Sequence, residues 1–300
     1  MIIRNTGNRS KDIQILEVLV SRPDASEETK RKIEQEIRNV KAGMKGERES
    51  AYEIDFHFGA SKNWMIIHDL RLECDGRVAQ IDHLLINRFM EIWVCESKNF
   101  AEGISVNEQG ECTAFYGGKP RGVPSPFEQN RKHIEVLKSL FDIEVALPKR
   151  LGFEIKPTFN SIVLVSKNAR ISRPKKFDDI IIKNDQIKTT IQKNIDEDNN
   201  LLGIAKILGS DTLQDFATRL ASAHRPIEFN WAAKFGLPEV PPQERAPQKA
   251  AQEAEEDKPK GKLICRTCGE AVTYAVAKFC WVNKPRFGGN VYCISCQKSI

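Results

Sequence analysis

Three charged side chains stand where a buried β-strand ordinarily carries none. In QIDHLLINRFMEIWVCESKNF, residues 80–100, the apolar runs IDHLLIN and EIWVCESK read as neighbouring core strands. One carries Asp82, and the other ends in Glu96, Ser97 and Lys98. Burying such groups without partners costs on the order of several kcal/mol each. A salt bridge, a metal ion or solvent at a strand end would each offset that cost. Strand alternation puts Asp82 on the face of Val78, Gln80, Leu84 and Ile86, and puts Glu96 and Lys98 together on the face of Ile92 and Val94. If the strands are adjacent, two acids and one lysine converge at the sheet rim. Two carboxylates are hard oxygen ligands for Mg²⁺ or Mn²⁺, and the backbone carbonyl of Ser97 can add another. A metal held there acidifies water and neutralises the charge that builds during phosphodiester hydrolysis, while Lys98 orients that water or stabilises the charge. Spacing alone leaves a plainer alternative open, an ion pair of Lys98 with Glu96 or Asp82.

A second set of chemically able residues lies in the tail CRTCGEAVTYAVAKFCWVNKPRFGGNVYCISCQ. Cys265 and Cys268 form one CxxC knuckle, and Cys293 and Cys296 form another about 25 residues on. Two such knuckles suit a tetrahedral four-cysteine Zn²⁺ site. A module this small has little core of its own, so the metal would supply its folding energy. Cys280 falls between the knuckles and reads as a packed thiol or a substitute ligand. Arg266, Lys284 and Arg286 are candidates for nucleic-acid contact. Tyr274, Phe279, Trp281, Phe287 and Tyr292 would either stack on bases or form the module's small core.

The elements that must position these residues are legible in outline. Residues 24–58 read as helical, opening with Asp24 three residues before Glu27 and interrupted by Gly43 and Gly46, hence one helix or two. The strand-like runs WMIIHDL, VAQIDHLLIN and EIWVCESK follow, the first two separated by the turn ECDGR. A Gly-rich hairpin comes next, then the breaker GVPSP and an amphipathic helix from about Phe127 to Phe141, whose apolar positions Ile134, Leu137, Leu140 and Phe141 keep helical spacing. The strand TFNSIVLVS and mixed helical segments complete an α/β chain. Residues 237–262, rich in Pro, Ala, Gln, Glu and Lys, are expected to be a flexible linker.

Composition sets the class. The chain has 300 residues, 40% hydrophobic and 29% charged, with a net charge of +5, as in a soluble globular protein. Its basic excess sits mainly after residue 240, which permits nucleic-acid binding without requiring it. No apolar run approaches the roughly 18 residues that would span a bilayer, so no membrane association is expected. The N-terminus lacks a signal-peptide core, so a cytoplasmic location is the expectation, and no disulfide framework is expected from the eight cysteines. Glycines without phosphate-cradling spacing leave no nucleotide cofactor evident.

The ordered blocks KGERESAYEI, IIHDLRL, QIDHLLIN, IWVCESKNFAEGI and PSPFEQNRKHIEVLKSL, from about Val40 to Phe141, resemble the NERD (nuclease-related) domain, a family grouped with the PD-(D/E)xK nuclease superfamily. The tail, with FC, FGG and YCISCQ, is similar to zinc ribbons attached to such domains. The resemblance implies an α/β fold, a central mixed sheet flanked by helices, plus a small zinc-ribbon module. It makes Glu47 in GERE a helix-borne catalytic acid, and Asp82, Glu96 and Lys98 the acids and lysine of the catalytic strands. It makes Gln129 the glutamine at the start of the following helix. Ser97 stands where Thr is common, which leaves a backbone carbonyl ligand intact. The residues themselves also allow Glu47 to be a surface charge and Gln129 an ordinary first-turn polar residue. His83 faces away from Asp82 and reads as structural, and His57, His68 and His133 show no partner pattern.

The implied function is a metal-dependent nuclease acting on DNA, with RNA open as a substrate and the ribbon assisting binding; a non-catalytic nucleic-acid-binding or scaffold protein with the same fold is the alternative. The expected organisation is an N-terminal helical extension over 1–39, the nuclease-like domain over 40–168, a mixed helical extension over 169–236 packing on it, the linker over 237–262 and the ribbon over 263–300.

Overall fold

The computed structural model describes residues 1–100, 102–197, 207–239 and 263–299. They form two compact units, Met1–Leu237 and Pro238–Ile300. Of the expected linker, positions 240–262 lie outside the described residues.

In the first unit a short strand β1 (Ile2–Arg4) leads into α1 (Ser10–Val20) and the 32-residue helix α2 (Glu27–Phe58). Ser26, rather than Asp24, caps α2: its hydroxyl accepts from the Thr29 N–H at 3.1 Å, and Glu27 and Glu28 face the positive helix end. Asp24 pairs instead with Arg22 at 2.5 Å. Gly43 and Gly46 do not divide the helix. A Cβ at Gly46 would lie 3.0 Å from the Asn99 Cβ, so the glycine makes room for the chain just past Lys98, where Asn99 Nδ2 donates to the Ala42 carbonyl at 2.9 Å. The expected domain boundary at residue 40 thus falls inside a continuous helix.

Strands β2 (Trp64–Cys74), β3 (Arg77–Asn87) and β4 (Glu91–Lys98) form an antiparallel meander. The first turn is Asp75–Gly76, with φ of +50° and +68°, the backbone that closes a two-residue hairpin. Next come β5 (Gly103–Val106), β6 (Cys112–Tyr116) and β7 (Lys119–Val123), then α3 (Pro126–Ile143). The expected hairpin is therefore a three-stranded meander, and β7 takes the first two residues of the expected breaker. What remains is Pro124, then Ser125, whose hydroxyl caps α3, and Pro126 in its first turn.

The rest of the unit is a small hairpin β8 (Lys149–Arg150) and β9 (Phe153–Glu154), then β10 (Thr158–Val165), β11 (Arg170–Ser172), β12 (Ile180–Lys183), α4 (Ile187–Glu197), α5 (Ser210–Ser222) and α6 (Trp231–Lys234).

The main sheet runs β1-β2-β3-β4-β10-β12, with β10 parallel to both β4 and β12, and is therefore mixed. The second runs β11-β5-β6-β7. Residues past 168 thus contribute strands as well as helices. On one face of the main sheet Leu84, Ile86, Ile92 and Val94 pack with Val136, Leu137 and Leu140 of α3 and with Leu213, Phe216 and Leu220 of α5. On the other, Leu85, Trp93 and Cys95 pack with Ile54 and Phe58 of α2 and with Ile187 and Ile191 of α4. β3 and β4 are covered on both sides, which explains their near-continuous apolar runs. No helix among the described residues is long and apolar enough to cross a membrane.

The second unit holds an isolated bridge between Ile264 and Ala271 and the short helices α7 (Tyr274–Val282) and α8 (Lys284–Phe287).

The two helix glycines should behave oppositely. A Cβ at Gly43 would meet only Glu47 Oε1, at an ordinary contact distance of 3.9 Å, so Gly43→Ala should raise unfolding stability by about 0.5–1 kcal/mol through helix propensity. Gly46→Val should lower it by about 1–3 kcal/mol by pushing Asn99 away. Denaturant unfolding of both variants checks this, and equal effects would contradict the close approach.

Candidate functional site

The pairing of β3 with β4 aligns His83 with Cys95 and Leu84 with Val94. One step further along the same register, Asp82 falls opposite Glu96. There the backbone ladder stops, and the Asp82 carboxylate takes the Ser97 N–H at 2.8 Å. Glu96 is only 2% exposed. Its Oε1 holds Lys98 Nζ at 2.6 Å, and the same ammonium donates to Gln129 Oε1 at 3.0 Å. The expected ion pair therefore forms, but it leaves a remainder. Glu96 Oε2 is buried with no hydrogen-bond partner, and the nearby His133 Nδ1, 3.9 Å away, is equally without one. Burial and the Lys98 charge push His133 down to about 4, so its imidazole is neutral and supplies no counter-charge.

Electrostatics tie Glu47 into the same group. Burial raises the Asp82 carboxyl well above the usual range, and the Glu96 and Glu47 charges raise it further. Burial also raises Glu96 against the pull of Lys98. Glu47 is raised by burial and then by Asp69, with Arg9 and Lys98 opposing. Three acids thus share a poorly solvated region with one ammonium, and one buried carboxylate oxygen is unsatisfied. A divalent cation fits this donor set: Asp82, Glu96 and the Ser97 carbonyl are hard oxygen ligands, and the missing positive charge is what the acids need.

Residues 42–166 match the family model of the nuclease-related domain, NERD. This stretch is a nuclease-related domain. The match spans α2 from its middle, the three strands of the site, α3 and β10, and it relates the chain to hydrolases that act on nucleic acids. No curated protein and no solved structure matches the chain.

Two features of the NERD domain escaped the spacing argument. Asp69, in the middle of β2, has φ of +51°, and the β2–β3 pairing skips it, passing from His68↔His83 to Leu70↔Ile81. Its carboxylate accepts from Gln80 Nε2 at 2.7 Å and pairs with Arg4 at 3.5 Å. The signal was present: a two-residue turn at Asp75–Gly76 sets Asp69 opposite Asp82. The other feature is a buried histidine pair. His68 and His83, 0% and 1% exposed, meet through their Nδ1 atoms at 2.8 Å. His83 is satisfied, as expected of a structural histidine, but its partners are His68 and the Ser97 hydroxyl. Burial holds both rings below the ordinary imidazole range, so both are neutral.

The second unit carries its own constellation. The sulfurs of Cys265, Cys268, Cys293 and Cys296 all lie within 4.8 Å of one another, a site able to hold a metal ion. With metal–sulfur bonds of about 2.3 Å, a tetrahedron has sulfur–sulfur edges of roughly 3.8 Å, and Cys268 Sγ stands 3.7 Å from Cys293 Sγ. Backbone N–H groups of Cys268 and Cys293 pull the Cys265 thiol down to about 6, toward the thiolate that binds metal. Cys280 is fully buried and accepts from the Tyr292 N–H and Gln297 Nε2 at 3.4 and 3.3 Å. It is thus a packed thiol outside the cluster. Phe287 is buried against Phe279 and Tyr292, while Phe279 itself is half exposed. Arg266 is held by Asn290 Oδ1 at 2.5 Å and Arg286 by the Gln297 carbonyl at 2.7 Å; Lys284 is exposed.

A carboxyl raised in the fold favours the folded state when protonated. Stability should therefore fall as pH rises from the unfolded carboxylate range, near 4, toward the raised folded value. Asp82→Asn keeps an acceptor for the Ser97 N–H and removes the charge. In thermal melts without divalent ion at neutral pH it should melt above wild type. Mn²⁺ should raise the wild-type midpoint and leave the variant's in place. A variant that melts lower and still responds to Mn²⁺ would contradict the crowded-acid account.

Proposed function

We propose that the protein is a metal-dependent nuclease that hydrolyses DNA phosphodiester bonds, with its cysteine module a zinc ribbon that assists nucleic-acid binding. The observation that carries this reading is the buried, partnerless Glu96 oxygen beside the Asp82–Ser97 contact, inside a nuclease-related domain. Asp82, Glu96 and the Ser97 carbonyl would hold Mg²⁺ or Mn²⁺. When bound, the ion supplies an acidified water and a counter-charge for the phosphate oxygens. Lys98, steadied by Glu96 and Gln129, orients the attacking water or meets the developing negative charge. The raised carboxyl of Glu47 is suited to hold a water or carry a proton at the same rim. Gln129 fixes the lysine and presents its amide to a phosphate oxygen. RNA is the second substrate to test.

In the ribbon, Cys265, Cys268, Cys293 and Cys296 would bind Zn²⁺, which supplies folding energy that a unit this small lacks. Arg266, Lys284 and Arg286 then face phosphates, and the half-exposed Phe279 offers a ring for a base. The covalent tether keeps this module at high effective concentration near substrate bound by the nuclease domain. With its eight cysteines free, the protein suits the reducing cytoplasm.

A panel of linear, supercoiled, branched and single-stranded DNA, with RNA alongside, tests the reading. Cleavage should require added Mg²⁺ or Mn²⁺ and should fall by about 10²-fold or more in Glu96→Ala and Lys98→Ala. Binding that persists without cleavage under any of these conditions would favour a non-catalytic binding protein, and cleavage that survives both substitutions would remove the assigned site. Omitting the divalent ion is preferable to adding chelator, because a chelator also strips zinc. The purified chain should contain one zinc, lost in Cys265→Ser and Cys296→Ser as measured by elemental analysis.

A further inference from the structure

Behind the acids, on the α2 face of the sheet, four side chains join in one line. Asp55 Oδ1 contacts His68 Nε2 at 3.0 Å, His68 Nδ1 contacts His83 Nδ1 at 2.8 Å, and His83 Nε2 contacts Ser97 Oγ at 2.9 Å. We propose that Asp55, His68, His83 and Ser97 form a positioning relay that fixes the Ser97 peptide, and through it the Asp82 carboxylate, for the divalent cation. The proposal rests on the metal-site reading above.

With neutral rings, hydrogen-bond counting allows one arrangement. The Asp55 carboxylate only accepts, so His68 Nε2 carries hydrogen and its Nδ1 is bare. That bare nitrogen accepts from His83 Nδ1–H, which leaves His83 Nε2 bare to accept from the Ser97 hydroxyl. Every contact is satisfied and every donor points toward Asp55. The hydroxyl of Ser97 is then committed to the back face while its N–H is committed to Asp82. Two directed bonds on one residue fix the strand end whose carbonyl is the expected third ligand. Outer partners of this type orient metal ligands in general.

Placement strengthens the argument. Each relay residue neighbours an acid of the site: His68 precedes Asp69, His83 follows Asp82, Ser97 follows Glu96, and Asp55 stands two turns beyond Glu47 on α2. One helix and three strands are therefore cross-linked at the level where they carry the acids. Packing alone gives no reason for two imidazoles in an otherwise apolar layer of Ile66, Leu85, Trp93 and Cys95.

The test uses the full zinc-loaded chain with ¹⁵N-labelled histidine, Mn²⁺ titration calorimetry and the cleavage assay. Long-range ¹H–¹⁵N spectra should show His68 protonated at Nε2 and His83 at Nδ1. Asp55→Ala removes the half-exposed end of the line; it should shift both the His83 ring nitrogens and the Ser97 amide, and weaken Mn²⁺ binding by about 10-fold. Asp55→Asn retains an acceptor and should restore wild-type affinity. Ser97→Ala should reproduce the loss and Ser97→Thr, which keeps the hydroxyl, should not; this pair gives the answer from the other end if Asp55→Ala does not fold. Different tautomers, or Asp55→Ala and Ser97→Ala with wild-type Mn²⁺ affinity, would overturn the relay. A wild-type chain that shows these tautomers and binds Mn²⁺ through them, but cleaves no nucleic acid, would overturn the nuclease reading and leave the relay standing.

Discussion

The cross-strand register of β2, β3 and β4 is the constraint on which both faces of this sheet depend. The turn at Asp75 and Gly76 leaves no slack between β2 and β3, because both residues adopt the left-handed backbone of a tight hairpin. It sets His68 against His83, and the next turn sets His83 against Cys95. From these pairings two rows follow across three strands. One is acidic, Asp69, Asp82 and Glu96; the other is His68, His83 and Cys95, with Ser97 two residues farther along β4 on the same face, where its hydroxyl reaches His83. A slip of one residue would exchange the faces of every side chain on a strand. It would drive Asp82 into the apolar layer under α2 and lift His83 out of its hydrogen bonds. The apolar residues of both faces resist that slip together, so the packing of the core sets the geometry of the charges.

The charges in turn oppose the core. A carboxylate that is 2% exposed, with one oxygen paired to Lys98 and the other to nothing, is a local destabilisation in the metal-free chain. Asp82 adds to it, because burial and the Glu96 and Glu47 charges make it reluctant to ionise, and Glu47 is raised in turn by burial and Asp69. Replacing these groups by apolar residues would suit the sheet better. Their presence at the end of strands buried on both sides is intelligible as readiness for a cation, where the binding energy of the ion is already partly offset against charge held in place. Lys98 fits the same logic. It neutralises one acid without saturating the set, and Gln129 holds it toward the rim.

Much of this was legible in the sequence, for physical reasons that can be traced. Acids in an apolar run advertise their own cost, so Asp82, Glu96 and Lys98 stand out; strand alternation puts Glu96 and Lys98 on one face, and the β3–β4 register brings Asp82 to them. The paired CxxC knuckles needed only spacing, and the four sulfurs do converge. Less visible was anything that depends on close approach. Gly43 and Gly46 look like helix breakers, yet α2 is unbroken, and Gly46 serves a close approach: a Cβ there would crowd the Asn99 Cβ at 3.0 Å. His68 and His83 are fifteen residues apart in the chain and carry no motif, so only the hairpin register shows that they meet. Asp69 was hidden for a related reason: its backbone leaves the ladder, and a strand pattern read by alternation assumes that none does.

The same close approach connects helix and sheet at the site. Asn99 follows Lys98 directly, and its amide bonds the Ala42 carbonyl of α2 one turn before Glu47. Farther along the helix, Asp55 reaches the histidine pair. α2 is thus tied to the acid-bearing strands at two points, one on each side of Glu47, and a helix-borne acid gains a fixed position relative to strand-borne ones. Together with the packing of Ile54 and Phe58 against the sheet, the two ties fix where Glu47 stands. The unbroken helix, the glycine within it and the polar line behind the sheet are therefore parts of one solution. They hold acids from different elements together in a place where their own charges would push them apart.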